Sequence, residues 1–177
     1  MAEKKLLNGL EAGAIEAAME LISGKPHGPK APKKSRVRWV DALQFEASVR
    51  NHTFLVDEPT QLAGKDESPN SVELVLGAYG TCVATGFVWN ATRRGITIHS
   101  LDIELESTQN NSFTFLGIDP PDKGHAGLDF IKVKLIVQAD TTDDIIREVW
   151  DHTLKTSPVG NTLTRAVKIE PELEISR

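Results

Sequence analysis

Apolar and polar positions change their period several times along the chain, and each change predicts an element. Between residues 4 and 23, Leu6, Leu7, Leu10, Ala14, Ile15, Ala18, Met19 and Ile22 recur every three or four residues. That spacing predicts an amphipathic helix with Glu11, Glu16 and Glu20 on its polar face, ending at Ser23-Gly24. The following KPHGPKAPKKSRVR carries three prolines and clustered bases and predicts a solvated linker to about Arg36. From Val37 the period is two. Val37 and Trp39 alternate with Arg36 and Arg38, Phe45, Ala47 and Val49 with Gln44, Glu46, Ser48 and Arg50, and Thr53 to Val56 resumes after Asn51-His52, predicting a three-stranded meander. The loop DEPTQLAGKDESPN reads as too polar to be core.

The stretch from Ser68 to Gly95 is nearly free of charge between Glu73 and Arg93, with apolar or small residues on every side. Asn70 followed by Glu73 has the spacing of a capping box, and Arg93-Arg94-Gly95 suits a helix stop. One helix of about 24 residues is predicted, some 36 Å long at roughly 1.5 Å per residue. Apolar residues all round predict burial on all sides. One protomer offers too little cover for that, so an isologous homodimer is expected.

Beyond Gly95, Leu101, Ile103 and Leu105 alternate with acids, and Ile131, Val133, Leu135 and Val137 alternate with Lys132, Lys134, Ile136 and Gln138. They predict two antiparallel neighbours joined by a polar segment, 107–127. Asp140 or Thr141 is expected to cap a helix to about Leu154, with Ile145, Ile146, Val149 and Trp150 inward. Ser157-Pro158 reads as N-cap and first residue of a short helix to about Arg165, and Val167 to Ile175 as a last strand. The order is α+β, one domain without internal repeats.

Composition narrows the function classes. With 25 acids against 20 bases the chain has no general affinity for nucleic acid or anionic membrane. The single cysteine, Cys82, excludes an intrachain disulfide and a multi-cysteine zinc site. His99, His125 and His152 lack metal-ligand spacing, and no cofactor motif is present. The first residues lack the basic-then-apolar order of a signal peptide, so a soluble cytoplasmic protein is expected.

The string DEP…LAG-KDESPNSVELVLGAYGTC, with TSPVGNTL about 75 residues later, resembles the OsmC/Ohr superfamily of osmotically induced and organic-hydroperoxide-resistance proteins. The resemblance covers roughly residues 36–175, leaving 1–35 as an added helix and linker before an OsmC-like domain at 36–177. It implies an OsmC-like fold, with a long central helix wrapped by antiparallel sheets in an intertwined homodimer. It also implies thiol-dependent reduction of organic hydroperoxides. In the family a helix cysteine attacks the peroxide, a second cysteine resolves the sulfenic acid as a disulfide, and an arginine held by a glutamate stabilises the thiolate.

Carried onto this chain, Cys82 matches the attacking cysteine, and the resolving position is Ser157, which cannot form a disulfide. A one-cysteine cycle completed by an external thiol reductant is therefore implied. The family glutamate falls at Val72, one step before Glu73, which fits a capping box better than an arginine holder. Arg50 is favoured as the arginine over Arg36 and Arg38. A mid-helix thiol gains little from the helix dipole, and a free cysteine in apolar surroundings is commonly a small core hydrophobe. The alternative is therefore a non-catalytic dimeric protein holding a small apolar or electrophilic ligand at its interface.

Overall fold

The computed structural model describes residues 6–11, 13–24 and 32–176. Near the N-terminus the second half of the expected helix forms and a hairpin takes the place of its start. Strands β1 (Leu6–Leu7) and β2 (Leu10–Glu11) pair through Asn8-Gly9, and helix α1 starts only at Ala14 and ends at Ser23. Asn8 and Gly9 both have positive φ, 51° and 78°, as the two-residue turn of a tight hairpin requires. Three tertiary hydrogen bonds fix it: Asn8 Nδ2 donates to Thr92 Oγ1 and to the Ile96 carbonyl, and Asn8 Oδ1 accepts from the Ile98 amide. Most of the expected linker, 25–31, lies outside the described residues.

The meander forms as expected: β3 (Arg36–Asp41), β4 (Gln44–Val49) and β5 (His52–Val56), all antiparallel. Its register aligns Val37 with Ala47 and Phe54, and Trp39 with Phe45 and Val56, so one face is apolar. Among the described residues no helix packs across this sheet beyond isolated contacts, and Trp39 stays 65% and Val37 61% exposed.

The next loop is less peripheral than its polarity suggests. Asp57 is completely buried, and its carboxylate accepts from the amides of Glu58, Lys65 and Glu67 and from Gln44 Nε2. Burial of a charge is tolerable when such donors satisfy it. Gly64 closes the turn, because a Cβ there would lie 1.7 Å from the Glu58 carbonyl oxygen.

Helix α2 runs from Ser71 to Arg93, 23 residues, and both expected ends are present. Asn70 accepts from the Val72 and Glu73 amides while Glu73 accepts from the Asn70 amide, and Gly95 takes φ 73° after the last turn. Within the single chain the helix is covered on one side. Gly80, Val83, Phe87 and Ala91 are buried, a single stripe facing β6 (Ile98–Gln109), α4 (Asp143–Thr156) and α5 (Pro158–Thr164). Gly77, Ala78, Thr81 and Thr85, on the other side, are exposed. The helix is long and apolar enough to cross a membrane by length and composition, but its packed stripe makes it the spine of a folded domain.

Strand β6 pairs antiparallel with β7 (Leu128–Ala139) over nearly their whole length. Phe87, Ala91, Ile96 and Val149 form the buried core, with Leu101, Leu135, Val137, Ile145, Ile146 and Trp150 packed around it. Gly80 sits where a Cβ would come within 2.6 Å of Leu105 Cδ1, which lets α2 lie close on β6. The connecting segment is not uniformly polar: a one-turn helix, α3 (Ser112–Phe115), carries Phe113 and Phe115 exposed. The cap of α4 is Thr142, one or two residues later than expected, because its hydroxyl accepts from the Ile145 amide. The last strand is absent. Residues 166–176 have no regular structure, and Ile169 and Leu173 are each 85% exposed. A strand needs a neighbour for its amides and carbonyls, and the described residues present none there.

Candidate functional site

Cys82 lies half-way along α2, on the flank turned toward α4 and α5. It stands about 100° around the helix from Thr81, on the bare face. Opposite it, the chain passes from α4 to α5 through one residue, Ser157, whose extended backbone (φ −60°, ψ 119°) is the conformation a following proline imposes. Ser157 is buried, and its Oγ accepts from the Gly160 amide at 3.1 Å as the N-cap of α5. Gly160 allows the first turn of α5 to reach α2, since a Cβ there would be 3.0 Å from the Tyr79 ring. Cap and glycine together set the hydroxyl 3.3 Å from Cys82 Sγ. The Oγ lone pairs serve the cap, so its own hydrogen is available to the sulfur.

The sulfur opens on a hollow of about 590 Å³ between α2 and α4, lined among others by Thr85, Gly86, Trp89, Asn90 and Arg93 from α2 and by His152, Thr156 and Pro158. Sequence reasoning offers Arg93 only as a helix stop. Its spacing of eleven residues from Cys82, three turns, is the signal that both share one side of the helix. A second, largely apolar hollow of about 670 Å³ lies between the first turns of α2, the start of β7 and α5, lined by Val72, Val75, Tyr79, Phe130, Ile131 and Leu163.

The other expected site residues are placed elsewhere in the chain. Arg50 is exposed in the two-residue turn between β4 and β5 with φ 56°, and Arg38 pairs with Glu46 at 2.8 Å. Neither they nor Arg36 line the Cys82 hollow. Glu73 is occupied by the capping box, nine residues before Cys82 and so about 13 Å away along the axis. It also repels Glu58, whose carboxyl is held above its ordinary range first by burial and then by the charges of Glu73 and Asp57. Among the described residues, no group of three or more His, Cys, Asp or Glu is placed to hold a metal ion.

Comparison with known proteins bears on this geometry. No curated protein matches the chain. Among solved structures, an OsmC-like protein from Mycoplasma pneumoniae superposes with a TM-score of 0.65 at 18% identity, covering 77% of this chain and 89% of that one. An organic hydroperoxide resistance protein from Legionella pneumophila gives 0.51 at 11% identity, covering 76% and 90%. Another from Elizabethkingia anophelis gives 0.52 at 14%, covering 75% and 88%. At these identities the likeness establishes the fold. The sequence profile described as OsmC-like protein matches residues 64–172, which span the Asp57-anchored loop from Gly64, the Cys82 helix and Ser157. The chain therefore belongs to the OsmC-like protein family.

Proposed function

We propose that this protein is a cytoplasmic homodimeric thiol peroxidase that reduces organic hydroperoxides through Cys82 alone. The observation that carries the proposal is the 3.3 Å contact between Cys82 Sγ and Ser157 Oγ. By the family resemblance this hydroxyl stands where the second thiol would be; it can donate to the Cys82 thiolate and cannot resolve the sulfenic acid formed from it. In the cycle, the Cys82 thiolate attacks the outer peroxide oxygen, the O–O bond breaks, and the alkoxide leaves as alcohol after taking a proton. The sulfur becomes a sulfenic acid. An external thiol then attacks that sulfur, expelling water and forming a mixed disulfide, and a second thiol releases Cys82. Per turnover one hydroperoxide and two thiols become one alcohol, one disulfide and one water.

The dimer is supported by two bare surfaces: the Val37–Trp39–Phe54 face of the meander and the Ala78–Thr81–Thr85 face of α2. A second copy also offers a neighbour to residues 167–175. It would bring the Arg50 turn, at one end of the bare-faced sheet, onto a foreign α2. We assign 36–177 as the dimerising domain and 1–35 as an addition whose hairpin is held through Asn8.

The test is stoichiometric oxidation of Cys82 by an organic hydroperoxide, followed by mass spectrometry with a sulfenic-acid trap. Rapid trapping at Cys82 is expected. A thiol that stays reduced sinks the peroxidase and favours the second reading, a non-catalytic binder of a small apolar ligand. The apolar hollow beside Tyr79 supports that alternative.

A further inference from the structure

The N-terminal hairpin is held by a side chain used to its full donor capacity. Asn8 Nδ2 donates both hydrogens, to Thr92 Oγ1 at 2.9 Å and to the Ile96 carbonyl at 2.8 Å, and its Oδ1 accepts from the Ile98 amide at 2.8 Å. Thr92 cannot turn its hydroxyl round without losing the bond it gives the Val88 carbonyl at 2.7 Å. The place therefore calls for two donors and one acceptor on a short side chain, which asparagine supplies and an ionised aspartate does not. The backbone makes a demand of its own. Positive φ at both central positions of the turn, 51° and 78°, suits Asn-Gly. Together the two demands select a dipeptide prone to deamidation, because a glycine nitrogen brings no side chain into the path of its attack on the neighbouring amide. Gly9 is exposed, and nothing lies within 4 Å of where its Cβ would be. Among the described residues of the hairpin and α1, Ile15 is the one that is buried, so Asn8 carries much of the attachment.

We propose that Asn8-Gly9 is a deamidation site that works as a latch: the intact amide clamps the hairpin onto the end of α2 and the start of β6, and its conversion to an acid releases it. In the reaction the Gly9 nitrogen attacks Asn8 Cγ, the Cγ–Nδ2 bond breaks, and ammonia leaves with the proton of the Gly9 amide. A five-membered imide results. Water then opens the ring at either carbonyl, giving aspartate or isoaspartate with no change of oxidation state. Each product carries a carboxylate in place of the amide, so both donors are lost and the Ile96 carbonyl is left without its partner. The clamp also governs its own chemistry. Cγ cannot close on the Gly9 nitrogen while Nδ2 and Oδ1 hold their three partners, so the amide reacts from the open hairpin. Release bares Thr92, seven residues and about two turns beyond Thr85 on the same side of α2. The latch thus covers one end of the surface proposed for the second copy, although the latch itself does not depend on that assembly.

The test compares chemistry with opening. Intact protein is aged in mildly alkaline buffer beside a free peptide of the same hairpin sequence, and aspartate and isoaspartate at position 8 are followed by peptide mapping. Amide hydrogen exchange on the same protein gives the open fraction of residues 6–11. Deamidation in the protein should run at the peptide rate multiplied by that fraction. In Asn8→Asp, exchange of residues 6–11 and 14–23 should rise about tenfold, the worth of one buried hydrogen bond left unmade, while the β6–β7 pair keeps its protection and shows that the domain is folded. Thr92→Val keeps the dipeptide and removes one acceptor, and should raise hairpin exchange and deamidation in the same proportion. Deamidation as fast as in the peptide, a rate well below the one that the open fraction requires, or unaltered hairpin exchange in Asn8→Asp would overturn the latch.

Discussion

At the scale of single residues, the site is a sulfur and a hydroxyl 3.3 Å apart, and that separation makes a prediction about chemistry. Ser157→Cys should yield a chain that closes a bridge between Cys82 and the introduced thiol on treatment with one equivalent of organic hydroperoxide, read by mass spectrometry as loss of both free thiols. Reduced, the variant should be less stable by about 1 kcal/mol, because the cap to Gly160 is lost. Separate thiols after oxidation would mean that the two positions do not meet in solution. Arg50 is the second residue to test. Arg50→Ala keeps the same β-carbon penalty at φ 56°, so it isolates the guanidinium. If the second copy brings that group to Cys82, oxidation by hydroperoxide should slow about tenfold, the worth of one charge-assisted hydrogen bond. An unchanged rate removes Arg50 from the site.

At the scale of elements, helix α2 and the loop before it depend on caps and buried donors. Asn70→Ala removes the two bonds that the Asn70 side chain accepts and leaves the backbone amide to Glu73, and a loss of about 1 kcal/mol in denaturant unfolding is expected. The Asp57 loop predicts a pH dependence. Burial acts most strongly on its carboxyl and pushes it up, but the Glu67 amide, the Gln44 side chain and the Glu58 and Lys65 amides together outweigh burial and hold it below the ordinary value of 3.8. The unfolded chain then binds the proton more readily, so this contribution is complete above about 3.8 and is lost as pH falls below it. Asp57→Asn should be destabilised at neutral pH and should lose part of the acid-limb slope, measured by thermal unfolding from about pH 2 to 7. An unchanged slope would assign acid sensitivity to other carboxylates.

At the scale of the whole molecule, the bare sheet face, the bare side of α2 and the unpaired tail all ask for a second chain. Sedimentation should give twice the 19.4 kDa chain mass at micromolar concentration, with no folded monomer on dilution. Amides of residues 167–175 should exchange slowly in that dimer. Exchange at free-peptide rates would leave the tail unpaired, and a folded monomer would sink the intertwined assembly.

Much of this is legible in the residues because its causes are local. The ends of α2 follow from Asn70, Glu73 and Gly95, the meander and the β6–β7 pair from period-two alternation, and the Ser157-Pro158 turn from one cap and one fixed φ. The N-terminal hairpin is not legible, because Leu6, Leu7 and Leu10 satisfy helical spacing as well as they flank Asn8-Gly9. The three bonds from Asn8 to the far end of α2 decide for the hairpin, and those partners lie 84 to 90 residues away. Asp57 escapes a sequence reading for the same reason: a polar residue is buried only where distant amides converge on it. The Cys82–Ser157 contact spans 75 residues, and family resemblance, not periodicity, points to it. Local patterns determine where a helix or strand starts, stops and turns its apolar side. Which groups face one another across the fold depends on packing distances that carry no period in the sequence, and only the tertiary structure decides them.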